Sequence, residues 1–251
     1  MPRTHSGRES ADRLPCPPPR IGRFRRTLQE AGNRMNVEQA RFNMIEQQIR
    51  TWDVLDTSVL DLLAVVKRED FVPAAYRAMA FMDMEIPLPG GRAMLAPKLE
   101  ARLLQSLAPA RHEKALEIGT GSGYLAALLA HKALQVVSYE SRPALATTAR
   151  ENLRRGAAAN VEVRDGDGAS GDPEGAPYGA ILLSGSVAQV PQALLDQLTL
   201  GGRLVAIVGQ EPVMRATLFT RVAERQWQSV DLFDTVAPRL DGFAEPSRFK
   251  F

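Results

Sequence analysis

Three carboxylates stand where chemistry is to be expected. Glu117 opens the stretch Glu117-x-Gly119-x-Gly121-x-Gly123, Glu140 ends the run "VVSYE", and Asp167 sits between Gly166 and Gly168 in "VRDGDG". Each carboxylate offers acceptor oxygens and a negative charge, which suits a ligand carrying hydroxyl, amine or ammonium donors. Glycine at every second position destroys a strand and weakens a helix, so the triplet has to serve a close approach of bare backbone. One reading is a dinucleotide fingerprint, with glycine at the first, third and sixth positions. Gly119 and Gly121 fit it, but the sixth position is Tyr124 and the third glycine comes one place early, at Gly123. A bulky ring where helix and strand must pack closely weakens that reading.

An acid followed by alternating glycines is the pattern of S-adenosylmethionine sites. That cofactor has no pyrophosphate; its methionine moiety carries a carboxylate, an ammonium and a sulfonium. Backbone amides at a helix start receive a carboxylate, and Glu117 places negative charge near the ammonium. Glu140 can accept bonds from both ribose hydroxyls, and Asp167, followed by Gly168, can meet the adenine amine. Three ordinary turns are the bland account. Three such features at the ends of three successive strands outweigh it.

The elements needed to position these groups are legible around them. Strands are expected near 114–118, 135–139, 161–164, 179–183 and 203–208. Helices are expected near 123–131, 142–154 and 191–198. Strand and helix in turn, with short glycine-containing connections, predict a mostly parallel sheet with helices on both faces, an α/β Rossmann-like arrangement. Its ligand site lies beyond the carboxyl ends of the strands. The tail, "ATLFTRV" and "WQSVDLFDTV", reads as an antiparallel edge hairpin. Upstream, Val37, Met44, Ile45, Ile49 and Trp52 recur at helical spacing, and "TSVLDLLAVV" (57–66) predicts a helix capped by Thr57 or Ser58. "IPLPGGRAMLAP" (86–97) reads as a loop, and 98–107 as helix.

Composition bounds the rest. A chain of 251 residues with 45% hydrophobic and 24% charged residues is that of an ordinary globule. No apolar stretch is long enough to span a bilayer. The single cysteine, Cys16, excludes an internal disulfide and a cysteine-based metal site, and points to a reducing, cytoplasmic setting. His5, His112 and His131 have no ligand spacing, so no metal is expected. Residues 1–34 hold eight arginines against three acids, leaving 23 basic and 26 acidic residues in the remainder. The remainder shows no basic stripe for nucleic acid. With "PCPPPR" and no period, residues 1–34 are expected to be disordered, or an extension called upstream of a true start at Met35. Residues 35–97 then form a helical segment with an acceptor loop, and 98–251 the cofactor-binding core.

"MIEQQIR" (44–50), "REDFVP" (68–73), "PLP" (87–89), "LEIGTGSGY" (116–124), "GDG" (166–168) and "QLTLGGRLVAIVG" (197–209) together resemble the protein-L-isoaspartate O-methyltransferases. The likeness runs from about Met44 to the last strands, in the family's order. It implies a class I methyltransferase that esterifies the free carboxylate of isoaspartyl residues in damaged protein. By motif match it also assigns Gly119, Gly121, Gly123, Glu140 and Asp167 to the cofactor.

One loop departs from the pattern. Where the family carries Gln-Thr-Ile-Ser-Gln-Pro, this chain reads Arg92-Ala93-Met94-Leu95-Ala96-Pro97. Aligned on the proline, the threonine becomes Ala93 and the serine Leu95, while the family's threonine after the fourth strand becomes Ser184. Arg92, Leu95 and Ser184 are therefore the acceptor-side candidates, with Arg92 able to grip a carboxylate through a bidentate pair. The residues leave three functions open: an isoaspartyl methyltransferase, a paralogue acting on another acceptor in a pocket made apolar by Met94 and Leu95, or a non-catalytic cofactor-binding module.

Overall fold

The computed structural model describes residues 36–245. The expectation for residues 1–34 lies outside them. The chain divides between Gln39 and Ala40, and the four described residues before that division are helical.

From Ala40 the helix widens into a π-helical stretch, Met44–Ile49, which buries Met44, Ile45 and Ile49 and passes into a 3-10 turn at Arg50–Trp52. Trp52, expected on the buried face, is 49% exposed, because the π and 3-10 turns before it shift the helical period. Helix α1 (Thr57–Val65) follows. Its cap is neither Thr57 nor Ser58 but Asp56, whose carboxylate accepts the Ser58 amide at 2.8 Å. Asp56 has the extended backbone that the capping position requires, whereas Thr57 and Ser58 already lie inside the helix.

Residues 86–97, expected as a loop, begin with a two-stranded antiparallel ribbon, β1 (Ile86–Leu88) against β2 (Arg92–Met94). Gly90 and Gly91 turn it at φ 75° and 73°, which side chains rarely adopt. Helix α2 (Pro97–Leu107) begins on a proline whose missing amide costs nothing at that position.

The sheet runs β3 (Lys114–Ile118), β4 (Gln135–Glu140), β5 (Val161–Asp165), β6 (Tyr178–Val187), β7 (Leu198–Gln210), β8 (Val213–Ala223) and β9 (Gln226–Thr235), in spatial order β5-β4-β3-β6-β7-β8-β9. The first five strands are parallel, and β8 and β9 close the edge antiparallel. Helices α3 (Tyr124–Lys132), α4 (Pro143–Arg155) and α5 (Gln192–Asp196) are the crossovers. Two apolar cores flank the sheet, one around Leu103, Leu128 and Val136, the other around Leu116, Ile181 and Leu204. β6 runs four residues beyond the expected strand, so Ser184 lies within it rather than after it. β7 starts at Leu198 and takes the last residue expected in the preceding helix.

The strand order reverses at β3, which has β4 on one side and β6 on the other. That switch point is where an open α/β sheet leaves a crevice for a ligand, and the glycine triplet leaves β3 directly into it.

Candidate functional site

Gly119, Gly121 and Gly123 all hold positive φ, at 95°, 54° and 87°. Gly123 caps α3, and a Cβ there would stand 3.2 Å from Leu153 and 3.3 Å from the Ala149 carbonyl. The loop is pinned to β4: the Gly119 and Thr120 amides both donate to the Tyr139 carbonyl, at 2.8 and 3.1 Å. These glycines are thus needed for backbone shape, and the resulting turn presents amides at the start of a nine-residue helix.

Glu117 is fully buried at the end of β3. One oxygen accepts from Ser138 at 2.6 Å and the other from Ser184 at 2.8 Å, so the carboxylate bridges β4 and β6 across the switch point. Thr120 extends the chain through a 2.6 Å bond with Ser138. Burial pushes the Glu117 carboxyl up to about 7; the two serine bonds oppose the rise, and the neighbouring Glu140 charge adds to it. Such a group is poised to ionise fully once a cation arrives.

Glu140 is 5% exposed. Its oxygens accept the Gly121 amide at 2.8 Å and the Arg142 amide at 3.1 Å, so it braces the glycine loop from the end of β4. Asp167 is exposed after β5 and accepts the Ala169 amide at 3.0 Å, while Gly168 packs against Ile118 and Tyr139 at φ 65°. Glu117, Glu140 and Asp167 thus stand at the carboxyl ends of three adjacent strands.

On the acceptor side, Leu95 is 3% exposed and borders a cavity of about 20 Å³ with Glu117, Gly119 and Ser184. Arg92, at the start of β2, donates to the Arg239 carbonyl at 2.8 Å and pairs with Asp241. The sequence alone gave no role to Arg239, Leu240 or Asp241. Residues 237–240 run beside the end of β6, where the Ser186 amide donates to the Pro238 carbonyl and the Leu240 amide returns to Ser186, at 2.8 and 2.9 Å. A Cβ on Gly119 would meet Leu240 at 2.6 Å, and one on Gly242 would meet Asp167 at 2.5 Å. Thus the C-terminal segment lies over the glycine loop, and the cavity left beside it is about 50 Å³.

Two buried ion pairs also escaped the sequence reading. Arg68, with no exposed surface, pairs with Glu100 and donates to the Leu95 carbonyl at 2.8 Å and the Ala80 carbonyl at 3.1 Å. It also stacks 5.2 Å from the Tyr124 ring. Arg68 therefore ties Leu95, two residues before α2, to Tyr124, the first residue of α3. Arg41 pairs with Glu69 behind it. Among the described residues no cluster of His, Cys, Asp and Glu is arranged to hold a metal ion, and no helix is long and apolar enough to cross a membrane.

Comparison with known proteins bears on the family and the fold. The family model for protein-L-isoaspartate(D-aspartate) O-methyltransferase matches residues 39–235. A protein-L-isoaspartate O-methyltransferase of Methanoculleus marisnigri is 44% identical over 169 residues, covering 67% of this chain and 77% of the relative. One from Koribacter versatilis is 38% identical over 194 residues, 77% and 87% of the two chains. Among solved structures, a beta-aspartate methyltransferase from Plasmodium falciparum, in complex with S-adenosyl-L-homocysteine, superposes with a TM-score of 0.71 at 19% identity, covering 80% of this chain and 98% of its own. A protein-L-isoaspartate O-methyltransferase superposes at 0.69 with 25% identity, covering 80% of this chain and 66% of its own.

Proposed function

The chain belongs to the protein-L-isoaspartate O-methyltransferase family, and from that premise we propose how its own residues perform S-adenosylmethionine-dependent esterification of isoaspartyl carboxylates. The observation that carries the reading is the Glu117 carboxylate, held between Ser138 and Ser184 across the switch point beneath three left-handed glycines.

S-adenosylmethionine supplies a methyl group on a positively charged sulfur. The residues present suit it. Amides of the glycine loop would receive its carboxylate, Glu117 its ammonium, Glu140 its ribose hydroxyls, and Asp167 with Gly168 its adenine edge. Esterifying a carboxylate needs no general base, because an acid with a pKa of about 4 is already ionised at neutral pH. The protein's work is to hold the acceptor oxygen in line and to keep water out, and orientation of that kind accounts for most of the acceleration. Leu95, Met94 and the stem of Leu88 make the acceptor side apolar, which strips water from the anion. Arg92 supplies the compensating charge. Ser184 is committed to Glu117 and acts as an orienting group.

In this reading residues 35–97 supply the acceptor side and 98–251 the cofactor core, and the acceptor is a damaged protein or peptide. The lone cysteine supports a reducing, cytoplasmic compartment. The test is methyl-ester formation on matched peptides that contain isoaspartate or normal aspartate. Ester on the isoaspartyl peptide alone is the expected result. Cofactor binding with no ester on either peptide refutes the assignment.

A further inference from the structure

Asp241 is held like a ligand. Its two oxygens are taken by Arg92, by Arg142 Nε at 3.2 Å and by Ser141 Oγ at 3.0 Å. Ser141 and Arg142 lie just before the thirteen-residue helix α4, whose free amides add a positive end. Arg142 also donates to the Gly90 carbonyl in the ribbon turn, so the two arginines reach Asp241 from both walls of the cleft. The cavity bounded by Arg92, Ser141 and Asp241 is the same one bounded by Gly119, Glu140 and Ser184. The position is a carboxylate site at the mouth of the candidate reaction centre, and one of the chain's own carboxylates fills it.

We infer that Arg92, Arg142 and Ser141 form the recognition site for the acceptor's carboxylate, and that Asp241 is a resident mimic which the acceptor displaces. The inference rests on the isoaspartyl reading above and deepens it by naming what selects the anion. Three features make displacement feasible. Asp241 is about one third exposed, and Gly242 follows it with φ 81°, a joint with little side-chain hindrance. The backbone up to Leu240 stays fixed to Ser186, and Phe243 is buried in the second core, so only the short span between them has to move. Removing Asp241 alone leaves two guanidinium groups facing each other, and Arg92 already has its charge disfavoured by burial and by Arg142. A replacement anion relieves that repulsion, whereas a neutral side chain does not. The site therefore discriminates by charge: an isoaspartyl carboxylate enters, and an amide such as asparagine is rejected.

Competition gives the two partners opposite roles, and that difference is the test. Binding of an isoaspartyl peptide to the protein saturated with S-adenosylhomocysteine is measured by calorimetry, alongside KM and kcat for ester formation. Asp241→Asn removes the competitor and should tighten peptide binding and lower KM by roughly tenfold, with kcat little changed. Arg92→Gln removes a charge-assisted bond and should weaken binding roughly tenfold to a hundredfold in the Asp241→Asn background, and by less in the wild type, where Asp241 loses the same partner. Were the pair merely a structural latch, both substitutions would move binding in the same direction. Equal signs, or unchanged peptide affinity in Asp241→Asn, overturn the inference while ester formation by the wild type upholds the assignment. Absence of ester from the wild type refutes the assignment itself.

Discussion

Glu117 offers a measurement in which cofactor chemistry and stability pull in opposite directions. Its carboxyl is held at about 7 in the fold, against an ordinary value of 4.5, because burial outweighs the two serine bonds. A raised carboxyl pKa means that the neutral form is the one the fold prefers. This stability is fully present below about pH 4.5 and is lost as pH rises through 7. Keeping the ionised group buried then costs about 3 kcal/mol. Glu117→Gln keeps the shape and removes the charge, so above pH 8 the ligand-free variant should melt higher than the wild type. At about 2–4 °C per kcal/mol for a chain of this size, the gain is roughly 6–12 °C, shrinking towards zero near pH 5. The order reverses once S-adenosylhomocysteine is added, because its ammonium stabilises the wild-type anion and finds only an amide in the variant. Below pH 7 the wild type should also release a proton on binding, seen as a calorimetric heat that varies with the buffer's ionisation enthalpy. Melting curves for both proteins at half-unit steps from pH 5 to 9, with and without the nucleoside, decide the matter. A wild-type minus variant difference that stays flat with pH, or ligand stabilisation equal in both, refutes the reasoning.

Three further outcomes are expected. Glu140→Ala removes the brace on the Gly121 amide together with the ribose acceptor, so calorimetric affinity for S-adenosylhomocysteine should fall by about 1.5–3 kcal/mol; unchanged affinity would remove Glu140 from the site. Arg68→Met leaves Glu100 buried without its partner and should cost about 3–5 kcal/mol in denaturant unfolding, part of which Arg68→Met with Glu100→Leu recovers. No loss in the single variant would contradict the burial of the pair. Leu95→Ser returns a hydroxyl to the acceptor side but empties a buried position, so the melting temperature should drop by several degrees, as for other large-to-small core changes. Ester formation per folded molecule should nonetheless rise by up to about one or two powers of ten, and a rate that falls on that basis would argue against a hydroxyl role there.

The parallel core was legible because its signals are local. Runs such as "KALEI" and "QVVSYE" are short, followed by a glycine or a helix cap, and buried on both faces, and their apolar residues carry the strand signal while Glu117, Ser138 and Glu140 are buried against it. Where the expectation missed, a nonlocal partner had overruled the local signal. The 86–97 stretch is punctuated like a loop, but Ile86 pairs with Met94 because both side chains are buried in the first core. Trp52 fits a helical period, yet the π-turn before it changes the period. Ser184 extends β6 because β7 pairs alongside it as far as Val208, a length that no residue near Ser184 announces.

The same division runs through the site. That Glu117, Glu140 and Asp167 come together was legible because each lies at or just beyond the carboxyl end of a strand, and the ends of adjacent parallel strands converge at the switch point whatever else the chain does. Ser138 was readable in principle: it pairs in register with Glu117, and a serine inside an otherwise apolar strand needs a partner. Asp241 gave no such sign. It lies about one hundred residues from Ser141 and about one hundred and fifty from Arg92, in a tail without period. The parallel bridge between Arg239 and Ser186 helps deliver it to the cleft. Arg92 taken alone reads as a free cation waiting for an acceptor; beside Asp241 it is a cation already answered. The chemistry expected of it is unchanged, but binding becomes an exchange of one carboxylate for another. Exchange costs the protein little charge reorganisation and leaves the arginines paired in both states. That is how a cleft can hold two guanidinium groups beside a positively charged cofactor without driving it out.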